Sequence, residues 1–141
     1  MKTQATIPPA VAAIIPYNQL EVTKQYLNAF IREIEHLEKQ LTKCPRLKQT
    51  DGMKEHPAMF HYFYGGTDMY ICEYDQEDGL MFGFVILNED LQNSEWGYIS
   101  LAEILPIPII NIDYHFEEQS IEVALHKKHP HHFKKPQSLT A

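Results

Sequence analysis

The hydrophobic pattern of the chain changes its period near residue 59, and this change constrains the fold more than any other feature. From residue 18 to residue 44 the apolar residues recur at steps of three and four, the spacing of a helix that buries one face. From Met59 onward the alternation has a period of two, which is typical of half-buried strands. The pattern predicts an α+β fold with a long N-terminal helix packed on an antiparallel sheet. The apolar stripe of the helix consists of Leu20, Leu27, Phe30, Ile31, Ile34, Leu37 and Leu41.

Start and stop signals bound the predicted helix. Asn18 can cap its N-terminus, and Glu21 stands where the second member of a capping box belongs. Pro45 ends it, because the residue before a proline disfavours the helical conformation. The stripe indicates packing against the protein's own core, and a structural homodimer through this helix is the alternative.

Four segments with strand character follow a lysine-rich loop over residues 42–58 and predict an antiparallel meander of four to five strands. Gly83 interrupts the third segment and predicts a bulge or a close backbone approach. That segment is almost entirely apolar, so it is expected in the interior of the sheet. The four segments are 59–64, 69–74, 80–87 and 96–99.

The fourth strand runs directly into a turn of helix. Ser100 and Glu103 have the spacing of a capping box, so the Ser hydroxyl is expected to cap this turn. Trp96 and Tyr98 precede it in the strand, and we expect both, with Gly83, Ser100 and Glu103, to have structural roles. Prolines at 106 and 108 then favour an extended or edge segment, and residues 117–125 favour a short helix.

We expect a single domain over residues 1–141, since a chain of this length forms one hydrophobic core. Neither cysteine belongs to a disulfide framework, and no apolar run is long enough for a signal peptide or a membrane span. A cytoplasmic protein without membrane contact is therefore expected. The predicted parts are an extended arm (1–17), the helix (18–44), an acidic core with the sheet (59–125) and a basic flexible tail (126–141).

Charge is distributed very unevenly along the chain. Residues 56–126 contain thirteen Asp and Glu but no Lys or Arg, whereas the flanking segments carry net charges of +2 and +4. Carboxylates of the middle segment must be neutralised by the flanks, by counterions or by a basic partner. They would repel phosphate, which disfavours direct nucleic-acid binding by this segment. The residues predicted to bind a basic protein surface are Glu73, Asp75, Glu77, Asp78, Glu89, Asp90 and Glu95.

Several runs of residues stand out within the acidic segment 56–126. They are Tyr70…Glu73-Tyr74-Asp75…Asp78-Gly79-Leu80-Met81-Phe82-Gly83, then Glu95-Trp96-Gly97-Tyr98-Ile99-Ser100-Leu101-Ala102-Glu103-Ile104, then Asp113…Phe116. With them, the segment from Phe60 to Phe116 resembles a bacterial domain family of unknown function. That family occurs on plasmids, phages and integrative elements, often near antirestriction genes. The resemblance implies a mobile-element protein that acts on a nucleic-acid-handling or defence protein, and it assigns no catalytic residue.

No motif for a catalytic site, a metal or a cofactor stands out. Strand alternation would place Cys72 and Glu73 on opposite faces, so we expect no nucleophile–base pair there and a buried thiol. Pro130 interrupts the histidine cluster at 126–132. The leading hypothesis is a non-enzymatic interaction module, and a small hydrolase or metal-dependent enzyme using His61, Glu73 or Asp75 is the alternative.

Overall fold

Residues 6–139 are described by the computed structural model, and over this range the fold is α+β. The α-helices are α1 (Pro9–Ala12), α2 (Tyr17–Gln25), α3 (Ile31–Lys43), α4 (Leu101–Ile104) and α5 (Ile121–Lys128). The strands are β1 (Pro57–Ala58), β2 (Phe60–Tyr64), β3 (Thr67–Asp75), β4 (Leu80–Ile86), β5 (Glu95–Ser100), β6 (Asn111–Ile112) and β7 (Gln119–Ser120).

Five strands form one antiparallel sheet in the order β5-β4-β3-β2-β6, which confirms the predicted meander. β3 lies at the centre, and eight of its nine residues are buried. β4 lies between β3 and β5, as its apolar sequence predicts. β6 follows β5 in the sequence but pairs with β2, so it forms the opposite edge of the sheet. The two short strands β1 and β7 form a separate antiparallel ladder.

Helices cover both faces of this sheet. On one face, Val11 of α1 and Ile34 and Leu37 of α3 join strand residues such as Tyr62 and Ile71 in the larger core. The other face is covered by α5. The smaller core there consists of Ala58, Tyr70, Cys72, Phe84, Ile86, Ile121, Ala124 and Leu125. Because neighbouring residues of β3 point to opposite faces, this strand contributes to both cores.

The predicted extended arm is partly helical. α1 begins at Pro9, a position where proline fits well because the first helical N–H needs no partner within the helix. Val11, Ile14 and Ile15 are fully buried, so this segment is part of the larger core. The first five residues of the predicted arm lie outside the described range.

The single long helix predicted over 18–44 is wrong. The chain leaves the α-helical conformation at Tyr26 (φ −118°, ψ 38°) and makes a 3-10 turn before α3 begins. Phe30 ends this turn, with its ring 5.5 Å from the ring of Tyr114. Asn18 is not the cap, because α2 already begins at Tyr17 and the Asn18 amide donates to the Pro108 carbonyl instead. The apolar stripe nevertheless packs against the core as the sequence indicates, except for Ile31, which is 39% exposed.

Gly83 has the close backbone contact that the sequence predicts. It pairs with Ile71, where a register shift between Ile71 and Glu73 forms a β-bulge in β3. A Cβ atom at Gly83 would lie 1.9 Å from the Tyr70 carbonyl oxygen, so no other residue fits without movement of the strands. The bulge and the glycine therefore depend on one another.

The strand-to-helix junction forms, but its expected cap does not. Ser100 occupies the N-cap position of α4 without a side-chain hydrogen bond to the helix. The Leu101 N–H instead donates to the Gly79 carbonyl, which belongs to the neighbouring turn. Glu103 is exposed. The junction is thus held by a tertiary backbone bond that the local sequence does not show.

The two aromatic residues of β5 differ in their surroundings. Trp96 is half-buried, with its ring 5.9 Å from Phe82 and 4.4 Å from His56. Tyr98 lies 5.1 Å from Phe82 but remains 57% exposed. Trp96 has the packing expected of a structural residue, whereas Tyr98 lies largely in solvent.

The C-terminal helix begins later than predicted. Residues 119 and 120 pair with β1 as β7, so α5 starts at Ile121, where the Ser120 hydroxyl accepts the Val123 N–H at 3.0 Å. The predicted flexible tail has specific contacts: Phe133 packs edge to face on Phe84. Further along, the Ser138 hydroxyl donates to Glu55 at 2.6 Å.

Candidate functional site

The predicted partner-binding carboxylates lie in two separate groups and one buried position. β4 runs between the two groups, and its seven residues span about 20 Å at roughly 3.3 Å per residue. One group, in the turn between β3 and β4, consists of Asp75, Glu77 and Asp78. The other, in the loop before β5 and at its start, consists of Glu89, Asp90 and Glu95. We call these the turn group and the loop group.

Glu73 is the buried member of the set and does not face a partner. Its side chain is only 1% exposed. The carboxylate accepts the Lys48 N–H at 2.7 Å, the Thr50 N–H at 3.0 Å and the Thr50 hydroxyl. Lys48 adopts a φ of 73°, a left-handed conformation that side-chain-bearing residues rarely adopt. Glu73 therefore organises the loop that follows α3, which corrects its assignment to the interaction surface.

The expected separation of Cys72 and Glu73 is also wrong. The bulge between Ile71 and Glu73 breaks the strand alternation. Both side chains consequently contact the Thr50 hydroxyl, with 3.7 Å between that oxygen and the Cys72 sulfur. Burial raises the pKa of the Cys72 thiol to about 12. The thiol is thus neutral and buried, as expected, and Glu73 is occupied with the loop rather than acting as its base.

Other acidic side chains of the middle segment find cations within the protein. Lys128 donates to Asp68 at 2.7 Å, and Lys43 donates to Glu118 at 2.8 Å. Both lysines come from the flanking segments, as the charge pattern allows. The hydrogen bond from Lys43 lowers the pKa of Glu118. The flanks therefore neutralise part of the acidic segment, away from the turn and loop groups.

His61 and Asp68 belong to a cluster of ionisable groups on the α5 side of the sheet. The His61 Nε2 lies 2.7 Å from Asp68, and its ring stacks on Tyr70 at 4.6 Å. Burial favours the neutral Asp68 acid, but hydrogen bonds from His61 and Lys128 outweigh it and lower the pKa of Asp68. The His61 Nδ1 is buried without a hydrogen bond, 3.6 Å from Asp113.

The enzyme alternative uses His61, Glu73 or Asp75 in a cleft. The structure does not bring the three side chains together, although Asp75 lines an open cleft. His61 bonds to Asp68, Glu73 bonds to the loop after α3, and Asp75 lies at the end of β3. Both ring nitrogens of His61 are inaccessible, since one is bonded and the other is buried. The sequence does not predict the pairing with Asp68, although both residues belong to the hairpin of β2 and β3 that turns at Gly65 and Gly66.

An open cleft lies between the loop after α3 and the turn group. The cavity has a volume of about 680 Å³, which is within the usual range for ligand pockets. Its lining passes from the buried Tyr74 ring, through half-buried Leu41 and Leu47, to exposed Arg46 and Glu77. The Tyr74 N–H donates to the Pro45 carbonyl at 3.0 Å and joins the two walls. The cleft therefore combines an apolar floor with charged edges.

Reasoning from the sequence misses this cleft because its walls are about thirty residues apart in the chain. The bulged strand, the Glu73 carboxylate and the Tyr74–Pro45 hydrogen bond together bring the loop over β3. The acidic turn itself is visible in the sequence, but a sequence pattern does not show what faces it.

The histidine cluster near the C-terminus does not gather around a common point. His126 places its Nδ1 2.7 Å from the Phe133 carbonyl oxygen. Within residues 6–139, no three His, Cys, Asp or Glu side chains are grouped as a metal site requires. In the same range, no helix has the length and apolarity needed to cross a membrane.

Comparison of the chain with protein-family models, curated proteins and solved structures gave no match.

Proposed function

We propose that this protein is a non-enzymatic interaction module whose exposed carboxylates bind a basic surface on another protein. The supporting observation is the contrast between two kinds of acidic residue. Asp68 and Glu118 pair with lysines. Glu77, Asp78 and Glu95, by contrast, are exposed and have no ion pair within residues 6–139.

The partner that this chemistry fits is a protein that handles nucleic acid. Such proteins present clustered Lys and Arg to phosphate, and the same cations attract carboxylates. The resemblance of residues 60–116 to a family of mobile elements favours a host or rival defence protein within this class. Both cysteines are free, in keeping with action in the cytoplasm.

Affinity capture from a bacterial lysate, with identification by mass spectrometry, tests the proposal. Attraction between exposed charges is screened by salt, so a specific basic partner should be retained at low salt and released at high salt. The control is a variant with four reversed charges, Glu77→Lys, Asp78→Lys, Glu89→Lys and Glu95→Lys, all at exposed positions. Its unfolding midpoint confirms that it is folded.

Two results would contradict the proposal. One is the retention of no basic protein at low salt. The other is a partner that binds the four-charge variant as tightly as the original protein, because binding would then not depend on these carboxylates.

A structural homodimer through the N-terminal helix has less support. The stripe that would form its seam is interrupted at residues 26–30, and Ile34 and Leu37 are buried in the protein's own core. Sedimentation at several concentrations tests this directly, and a monomer over the whole range is the expected result.

A further inference from the structure

The two acidic groups differ in what surrounds them. The turn group borders the 680 Å³ cleft, whose lining includes Asp75 and Glu77. In the loop group, Asp90 accepts the Asn93 side-chain amide at 2.7 Å, and the Glu89 backbone N–H donates to the Gly66 carbonyl at 2.8 Å. The turn group thus has an adjacent concave surface with both polar and apolar walls.

The lining of the cleft sets requirements on its occupant. Asp75 and Glu77 call for a cation, whereas Leu41, Leu47 and Tyr74 call for an apolar group. Arg46 and Gln49 also line the cleft and can donate to carbonyl oxygens. A peptide segment meets all three requirements at once, because it offers basic side chains, apolar side chains and backbone carbonyls.

We propose that the cleft between the loop after α3 and the turn group binds an extended segment of the partner in which basic and apolar residues alternate. This inference rests on the proposed function and specifies its site. In an extended segment, successive side chains point to opposite sides. The apolar side chain would lie on Leu47 and Tyr74, and the neighbouring basic side chains would reach Asp75 and Glu77.

The walls are held in place independently of any ligand. Glu73 fixes the loop from beneath, through the Lys48 and Thr50 N–H groups. Asp75 accepts the Glu77 N–H at 3.0 Å, which shapes the turn. A site formed in advance loses little conformational freedom on binding, so a short peptide is sufficient as a probe.

The experiment uses the capped hexapeptide Lys-Leu-Lys-Leu-Lys-Leu, with binding measured by calorimetry and amide chemical shifts. The shifts should concentrate at Leu41, Cys44, Leu47 and Tyr74. Neutralising the turn group with Asp75→Asn and Glu77→Gln should weaken binding about tenfold. The matched control neutralises the loop group with Asp90→Asn and Glu95→Gln and should change the dissociation constant less than about twofold. Asn at 75 retains an oxygen that can accept the Glu77 N–H, so the turn is preserved.

Three further measurements test what occupies the cleft. Replacing Leu by Gly in the peptide should weaken binding, since the apolar floor would lose its contact, and replacing Lys by Glu should abolish it. Spermidine tests whether a small cation is sufficient, and it should bind more weakly than the peptide because it cannot use the Arg46 edge. Sedimentation of the protein alone, at several concentrations, tests whether a second copy occupies the cleft.

Several outcomes would overturn the inference. These are equal weakening by the two neutralised pairs, no binding of the hexapeptide, spermidine binding as tightly as the peptide, or self-association that the Asp75→Asn and Glu77→Gln variant loses. The lysate capture tests the proposed function separately from all of these outcomes. If capture retains a basic partner while the two pairs contribute equally, the module acts through its overall charge and the cleft is not its site.

Discussion

At the scale of single residues, the buried carboxylate of Glu73 has the greatest influence on the candidate site. It is 1% exposed, and its hydrogen-bond donors are two backbone N–H groups and a hydroxyl from one loop. A charged acceptor with several donors makes stronger hydrogen bonds than a neutral one. The loop conformation, and with it one wall of the cleft, depends on this side chain.

Glu73→Gln should therefore destabilise the protein by about 2–3 kcal/mol, since the amide loses the charge and places an NH₂ group against loop donors. Urea denaturation measures the change in unfolding free energy. The matched control, Glu77→Gln, affects an exposed side chain and should stay within about 0.5 kcal/mol. Equal midpoints for the two variants would mean that Glu73 does not support the loop.

Gly83 and Gly97 provide a second comparison, because they face each other on β4 and β5. A Cβ atom at Gly83 would meet the Tyr70 carbonyl at 1.9 Å, whereas at Gly97 it would meet nothing within 4 Å. Gly83→Ala should cost about 2–3 kcal/mol through overpacking. Gly97→Ala should be neutral or slightly stabilising, because it restricts the unfolded chain. Thermal unfolding of both variants measures the change in stability. A Gly83→Ala variant as stable as the original protein would contradict the close approach of the two backbones.

At the scale of elements, the helix caps show where local sequence rules succeed and fail. Ser100 has the capping-box pattern but makes no cap bond, while Ser120 caps α5 at 3.0 Å. At Ser100 the junction is instead joined to the neighbouring turn by the Leu101 N–H, which donates to the Gly79 carbonyl. The capping-box pattern therefore predicts the position of this helix start but not the hydrogen bond that holds it.

The two serines can be compared directly. Ser120→Ala should cost about 1 kcal/mol by removing the α5 cap, together with the hydrogen bond to Glu55. Ser100→Ala should change the unfolding free energy by less than about 0.5 kcal/mol. Chemical denaturation of both variants measures the difference, and a similar loss in each would indicate that Ser100 caps its helix in solution.

Much of the sheet was predictable from the sequence, because alternation and turn residues are local signals. The meander, the edge strand near residue 111 and the role of Gly83 follow from such signals. The break at Tyr26 does not follow from such signals, because the apolar stripe continues through it. Phe30, at the end of the break, packs on Tyr114, which is distant in the sequence. No local sequence pattern indicates the bulge at Cys72 either. The sequence therefore predicts neither the position of Glu73 nor the cleft.

At the scale of the whole molecule, Asp68 joins the sheet to the C-terminal helix through Lys128. Its pKa is lowered in the folded protein, so its ionised form stabilises the fold above its unfolded pKa, about 3.9. This contribution is lost as the pH falls through the folded value. Acid should therefore weaken the attachment of α5 to the sheet.

Asp68→Asn should cost about 1–2 kcal/mol at neutral pH, less than a fully buried pair because Lys128 is half-exposed. The difference from the original protein should shrink below about pH 4 and vanish in stronger acid. Urea midpoints between about pH 7 and pH 3 measure it. Asp78→Asn, at an exposed position, serves as the control. A gap that does not change with pH would show that the ionised Asp68 contributes nothing.

The placement of like-charged turns at both ends of β4 has a consequence for the first encounter with the proposed partner. Two negative groups about 20 Å apart have little dipole along the strand direction, and their field consists of the net negative charge together with a quadrupole. Such a field draws cations in without rotating the incoming molecule into one orientation. The orientation of the proposed partner would then be determined after contact, by the shape of the surface that it meets. A partner that first contacted the loop group would dissociate instead of remaining bound.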